Sequence, residues 1–176
     1  MGSGRLQNTR PGHLKLRRFR PADATPTYNV FYDAVHKGTQ AHYTDRDRAA
    51  WAASATAPGN WGARMGGQIT HVAETEGRIV GFMSLRPGAD DENGAERAGH
   101  LDMAFVLPRV MGTGVAAELY TAQESAAREL GITRLSTDAS HLAKPFFLRQ
   151  GWEVLRAQKA RSNGHDIENF AMEKQL

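Results

Sequence analysis

Two glycines two residues apart, Gly112 and Gly114, stand between a stretch of alternating apolar residues and a stretch of helical periodicity. Without a Cβ, the chain there can take left-handed angles and approach a ligand closely. The first N–H groups of the following helix have no partner inside it and carry the positive end of its dipole. Such a turn can hold a diphosphate without a charged side chain, although an ordinary strand-to-helix turn would look the same. Just ahead, His100, Asp102, Ala104 and Val106 recur every second residue, so they share one face of a strand, with Leu101, Met103, Phe105 and Leu107 on the other. A histidine beside a carboxylate keeps its ring oriented and titrates near neutral pH, which suits a general base. A pair with only structural duty would have the same spacing.

Composition narrows the chemistry. The chain of 176 residues has no cysteine, which excludes disulfides, cysteine-ligated zinc and a thiol nucleophile. Group transfer must then use another nucleophile or pass directly between substrates. His71, His141 and His165 are scattered and lack metal-ligand spacing, so no metal is assigned. The net charge is +3 and the pI near 9.4. Basic residues gather at Lys15, Arg17, Arg18 and Arg20, and again at Arg156, Lys159 and Arg161, and read as solvated strand faces. Without an aromatic-interleaved basic stripe or a recognition helix, no nucleic-acid partner is expected. No apolar run nears the roughly 18 residues of a membrane span. Residues 1–12 lack an apolar signal core, and Leu6 stands where myristoylation wants Ser or Thr. They read as a disordered lead before a single domain over 13–176, with no membrane partner and a cytoplasmic location by default.

The elements that must position these residues are set by period and punctuation. Residues 13–19 alternate as a half-buried strand, ended by Pro21. Asp23 is a plausible cap for a helix carrying Val30, Phe31, Ala34 and Val35, closed by Gly38. Thr44 and Asp45 start a short second helix, broken at Pro58 and Gly59, and residues 59–67 read as irregular. Strands are expected at 69–75 and 78–85, joined by Glu76-Gly77, and a polar, mobile loop over 86–99. The strand at 100–107 ends at Pro108. A four-turn helix then carries Val115, Leu119, Ala122, Ala126 and Leu130 as its apolar stripe, up to Gly131. A strand at 133–138, a helix at 140–150 and strands at 152–160 and 166–173 around Ser162-Asn163-Gly164 complete the chain. The order predicts a mixed α/β fold with about seven strands and four helices, an antiparallel first half and one βαβ crossover.

Two known phosphate turns compete for the glycines. A P-loop needs Gly-Lys-Ser/Thr, which is missing. A dinucleotide fingerprint fits better, since Gly112-Thr113-Gly114-Val115-Ala116-Ala117 spells G-x-G-x-x-A and Asp138 ends the next strand. Pro108, however, sets the strand several residues back from the first glycine, and one crossover cannot build a doubly wound sheet.

The stretch Val106-x-Pro108-x-x-Met111-Gly112-x-Gly114-Val115-Ala116-x-x-Leu119 resembles motif A of the GCN5-related N-acetyltransferases (GNAT). That family shows Gln or Arg, two residues, Gly, one residue, then Gly or Ala; the register falls on Met111, Gly114 and Ala116. Ser140-x-x-Ala143-x-x-Phe146-Phe147-x-x-x-Gly151-Trp152 resembles its motif B. The element order matches too, so the resemblance covers about residues 13–175. It implies a GNAT-like acyl-CoA N-acyltransferase fold with acetyl-CoA as cosubstrate. By position, backbone groups of Phe105 and Val106 would meet the pantetheine arm and thioester. The turn Met111, Gly112, Thr113, Gly114, Val115 and Ala116 would hold the pyrophosphate, and Ser140 and Phe147 would touch the cofactor. Met111 replaces the usual Gln or Arg, and Phe147 replaces the Tyr that often protonates the departing thiolate.

The implied reaction is direct transfer of acetyl to an amine of a small molecule or protein. His100 and Asp102 would serve as base, and Tyr43, in the helical region that shapes the acceptor pocket in this family, is the best further polar candidate. Trp51 nearby reads as packing. Dimers are common in the family, so a homodimer is possible. A non-catalytic acyl-CoA-binding regulatory domain on the same fold is the alternative that Phe147 suggests, followed by a dinucleotide enzyme.

Overall fold

The computed structural model describes residues 13–90 and 97–176. The expected lead at 1–12, and 91–96 within the expected polar loop, lie outside the described residues. Seven strands form one mixed sheet: β1 (Lys15–Arg18), β2 (Ile69–Thr75), β3 (Arg78–Asp90), β4 (Arg97–Val106), β5 (Arg134–Ala139), β6 (Glu153–Ser162) and β7 (His165–Gln175), in the order β1-β2-β3-β4-β5-β7-β6. Among the described residues only β4 and β5 pair in parallel. That single crossover excludes the doubly wound sheet of a dinucleotide enzyme. The helices are α1 (Ala24–Gly38), α2 (Asp45–Trp51), α3 (Trp61–Gly66), α4 (Val115–Glu129) and α5 (Lys144–Arg149), five rather than four. One buried cluster joins α1 and α3 to one sheet face through Phe31, Val35, Trp61, Met65, Phe82 and Met103. The other joins α4 and α5 to the opposite face through Leu101, Val115, Leu119, Leu135, Phe147 and Met172.

Several local expectations change for physical reasons. Residues 61–66 form a helix despite Gly62 and Gly66, because Trp61 and Met65, one turn apart, are both buried and tertiary packing overrides weak propensity. The Trp61 indole N–H also donates to Thr27 Oγ1 at 3.1 Å. Asp23 does not cap α1; its carboxylate is taken by Arg17 and by the Arg20 N–H. Thr44 caps α2 as expected, in a reciprocal box with Asp47. In α4 the buried residues are Val115, Leu119, Tyr120, Gln123 and Ala127, with the expected Ala122, Ala126 and Leu130 only half-buried; Gln123 is held inside because its amide donates to the Ile69 and Met83 carbonyls. The fifth helix is shorter than expected and opens on Lys144-Pro145, where proline suits a first turn.

The expected 86–99 loop is largely strand in its described part. β3 runs on to Asp90 and β4 begins at Arg97. Pro87 is tolerated because β2 stops pairing at Leu85, leaving that side of β3 an edge. Gly99 is required where β4 meets β5: an added Cβ would lie 3.0 Å from both Ile132 and Leu85 side chains.

Two features of β4 set the geometry at the centre of the sheet. First, β4 pairs with β3 up to Val106 but with β5 only from Ala98 to Leu101. Beyond Leu101 the two strands part. Second, the register jumps from Ser84↔Met103 to Leu85↔Leu101, so Asp102 is an extra residue in a β-bulge. The bulge resets the alternation. Leu101, Ala104 and Val106 face α4, whereas Met103 and Phe105 face α1.

Candidate functional site

The split between β4 and β5 opens a cavity of about 350 Å³. Ala104, Val106, Val110 and Phe146 give it apolar walls, and the glycine turn and the start of α4 close one end. Leu107 donates to the Val80 carbonyl at 2.8 Å. Antiparallel alternation then turns the Phe105 amide toward β3 and the Ala104 and Val106 amides toward the open edge. The groups free for a ligand are therefore those of Ala104 and Val106, so the expected part of Phe105's backbone passes to Ala104. The Phe105 ring stays at the cavity wall.

Gly112 and Gly114 have φ of 75° and 93°, and nothing lies within 4 Å of a Cβ added to either. Their need for glycine is thus set by backbone angle, not by a neighbouring protein atom. Met111 and Thr113 spend their N–H groups inside the turn, on the Pro108 and Val110 carbonyls. The Thr113 hydroxyl also donates to the Val110 carbonyl, at 2.6 Å. Among the described residues, no backbone carbonyl accepts from the N–H of Gly112, Gly114, Val115, Ala116 or Ala117. These N–H groups are free for an anion; Ala117 was not anticipated among them. The Thr113 side chain does not line the cavity, and the Val115 side chain is buried in the core instead. Met111 is exposed at the mouth, where Arg149, also unanticipated, offers a cation.

Ser140 lines the cavity while its Oγ accepts from the Ala143 N–H at 3.1 Å. Its hydroxyl proton is left to donate. Phe147 is buried beneath the cavity against Trp152 and Tyr120. The Tyr120 hydroxyl cannot stand in for the missing phenol, because it donates to Glu124 at 2.5 Å and accepts from Trp152 and Lys174.

A second cavity, about 790 Å³, lies on the α1–α3 side. Trp51, Phe105 and Ser140 line both cavities, so the two meet where the strands part. Aromatic side chains of Tyr28, Phe31 and Trp61 wall it, with Arg64, Asp102, Asp138 and Asn169 as polar members.

The proposed base pair is rearranged. The bulge keeps His100 and Asp102 off the Ala104–Val106 face. Asp102 accepts from Gln68 at 2.7 Å and from Arg64 at 2.8 Å; burial works against its charge, but those bonds hold its carboxyl below the usual range. His100 instead has Ser136 Oγ at 2.9 Å from Nδ1 and Asp138 at 3.9 Å from Nε2. Burial pushes its ring below the ordinary value, against the pull of Asp138. Tyr43 lines the second cavity, yet its hydroxyl donates to the Glu168 carbonyl at 2.8 Å and accepts from the His141 N–H at 3.0 Å. Burial raises its pKa. Tyr43 ties three segments together and has no proton to spare. Asp138, Arg64 and Asn169 were missed as members of this site; only the bulge and the pairing of β5 with β7 bring them there, and neither has a sequence signal. Among the described residues no group of three or more His, Asp or Glu could hold a metal.

Residues 39–176 match the family model described as "Acetyltransferase (GNAT) domain". The uncharacterised N-acetyltransferase YafP of Escherichia coli K12 is 29% identical over 161 residues, spanning 91% of this chain and 95% of its own. A solved GCN5-related N-acetyltransferase from Rhodopseudomonas palustris is 32% identical, with a TM-score of 0.83 over 94% of this chain and 98% of that one. The PaiA N-acetyltransferase of Thermoplasma acidophilum, solved with coenzyme A, is 13% identical, with a TM-score of 0.71 over 93% of this chain and 99% of that one. At that identity the likeness is one of fold.

Proposed function

Because the chain belongs to the GNAT acetyltransferase family and is an acyltransferase, we propose that it moves an acetyl group from acetyl-CoA directly to an amine, with both substrates bound at once. The observation that carries this is the junction of the two cavities at Trp51, Phe105 and Ser140. A donor in the first cavity and an acceptor in the second would meet there, and without a cysteine a thiol-bound acyl enzyme is excluded.

The residues fit the donor. Free N–H groups of Gly112, Gly114, Val115, Ala116 and Ala117 suit a pyrophosphate. The apolar cleft with the unpaired amides of Ala104 and Val106 suits the pantetheine arm, and one of those N–H groups can polarise a carbonyl. Acetyl-CoA supplies a thioester carbon open to attack by a neutral amine. His100 lines neither cavity but lies 3.9 Å from Asp138, which does; neutral because burial lowers its pKa, it accepts the amine proton through water, and Asp138 steadies the charge it gains. The N–C bond forms, the C–S bond breaks, and sulfur leaves as thiolate. Phe147 cannot protonate it; a thiol with a pKa of ~8.5 leaves without that help.

Thiol release from acetyl-CoA, followed across a panel of amines, tests this reading. Gly114→Val places a β-branched residue at φ 93°, a cost of about 1–3 kcal/mol, and crowds the cradle. It should raise KM for acetyl-CoA at least about tenfold. Unchanged turnover and KM would remove the pyrophosphate from this turn.

A further inference from the structure

We propose that the acceptor is a small arylalkylamine, a primary amine on a short chain that carries an aromatic ring; the inference rests on the acetyltransferase reading and names the acceptor of that same site.

Three observations carry it. The first is the wall of the second cavity. Tyr28, Phe31, Trp51, Trp61 and Phe105 all line it, and they form one connected aromatic set, with ring centroids 5.0 Å apart for Tyr28–Trp61 and Phe31–Phe105 and 6.1 Å for Trp51–Phe105. A flat apolar ring gains both burial and edge-to-face contacts there, whereas a plain aliphatic chain gains only burial.

The second is the placement of acceptors for an ammonium. Asp138 lies on β5 two residues before Ser140, so it stands ~7 Å from the level at which the cavities join. Its Oδ1 accepts from Gln158 at 2.7 Å, which leaves Oδ2, 3.9 Å from His100, for an ammonium; Asp102, its counterpart across the parting strands, is held on one oxygen by both Arg64 and Gln68. Asn169 lines the same cavity on the neighbouring strand β7. One carboxylate, with the Asn169 side chain beside it in the cavity wall, suits a single ammonium entering a protein that is otherwise basic.

The third is the rim. At the β6–β7 turn, Ser162 Oγ and Asn163 Nδ2 both donate to the Ala50 carbonyl of α2, at 2.9 and 2.7 Å. His165 Nε2 lies 2.7 Å from Asp47 of the same helix, and Tyr43 holds the Glu168 carbonyl. The hairpin is thus strapped across one side of the cavity. With that side closed, a compact acceptor fits the site better than an extended peptide crossing it.

Two readouts test the proposal. In the first, acetyl-CoA turnover is compared for 2-phenylethylamine, n-butylamine, 1,4-diaminobutane and a short peptide with a free N-terminus and a lysine. The expected result is a kcat/KM for 2-phenylethylamine at least tenfold above each of the others, with the margin over n-butylamine falling to under threefold in Trp51→Leu. The second readout is binding alone: 2-phenylethylamine should change the intrinsic tryptophan fluorescence saturably, and n-butylamine should not at the same concentrations. Equal kcat/KM values, or a preference for the diamine or the peptide, overturn the proposal. Saturable binding of 2-phenylethylamine without transfer to any amine would sink the transferase reading while keeping the ligand class. Absence of both binding and preference would sink the ligand class even if another amine is acetylated.

Discussion

Burial holds the His100 ring below its ordinary value of 6.5, while the nearby Asp138 charge pulls it upward and Arg86 pushes it down. The ring is therefore neutral at pH 7 and able to take a proton. Neutral His100 contributes to folding stability fully above pH 6.5, and that contribution falls as pH drops through the depressed folded value. His100→Asn should lower kcat by about 10²-fold and remove an acid limb that lies below pH 6.5 in the unaltered enzyme; pH–rate profiles check both. Asp138→Asn removes the charge that supports the imidazolium, so the acid limb should move to lower pH. Asp102→Asn should affect kcat less than His100→Asn, because Asp102 is engaged with Arg64 and Gln68. It should instead loosen α3, at about 1–3 kcal/mol by denaturant unfolding. The sequence spacing put His100 and Asp102 on one face and was right about that, but the bulge at Asp102 moved both off the Ala104–Val106 face. A one-residue insertion in a ladder depends on the partner strand, and β4 alone carries no sign of it.

At the scale of elements, the glycine turn was legible because its requirement is local: positive φ at Gly112 and Gly114 can be met by few other residues. The β6–β7 turn was legible for the same reason, with Asn163 and Gly164 both at positive φ. α3 was not, since its helix depends on burying Trp61 and Met65 against distant strands. Nor was Gln123 as a core residue of α4, because its partners are carbonyls of β2 and β3. α4 is further locked to β7 by Lys174, which donates to Glu124 at 2.8 Å and to Tyr120 at 3.0 Å. Although burial opposes its charge, Lys174 and the Tyr120 hydroxyl hold the Glu124 carboxyl down at about 2, from 4.5. The lock therefore stabilises fully above pH 4.5 and is lost as pH falls toward 2. Glu124→Gln should cost about 2 kcal/mol at pH 7, a fall in Tm of roughly 4–8 °C, and it should flatten the decline in stability between pH 4.5 and 2.

Across the whole molecule, the sheet divides two jobs between its faces. α4 and α5 cover the face that offers N–H groups and apolar walls; α1 and α3 cover the face that offers aromatic rings and carboxyl groups. The passage between them is the gap left when β4 and β5 stop pairing after Leu101. Fold class and strand number were legible in the order of elements, but where the strands part is a property of the sheet as assembled. The central claim is that donor and acceptor occupy the two cavities together. Initial rates of thiol release, with acetyl-CoA and amine both varied, test it most directly. Intersecting double-reciprocal lines are expected for transfer within a ternary complex. Parallel lines, or thiol release that does not depend on the amine, would contradict it.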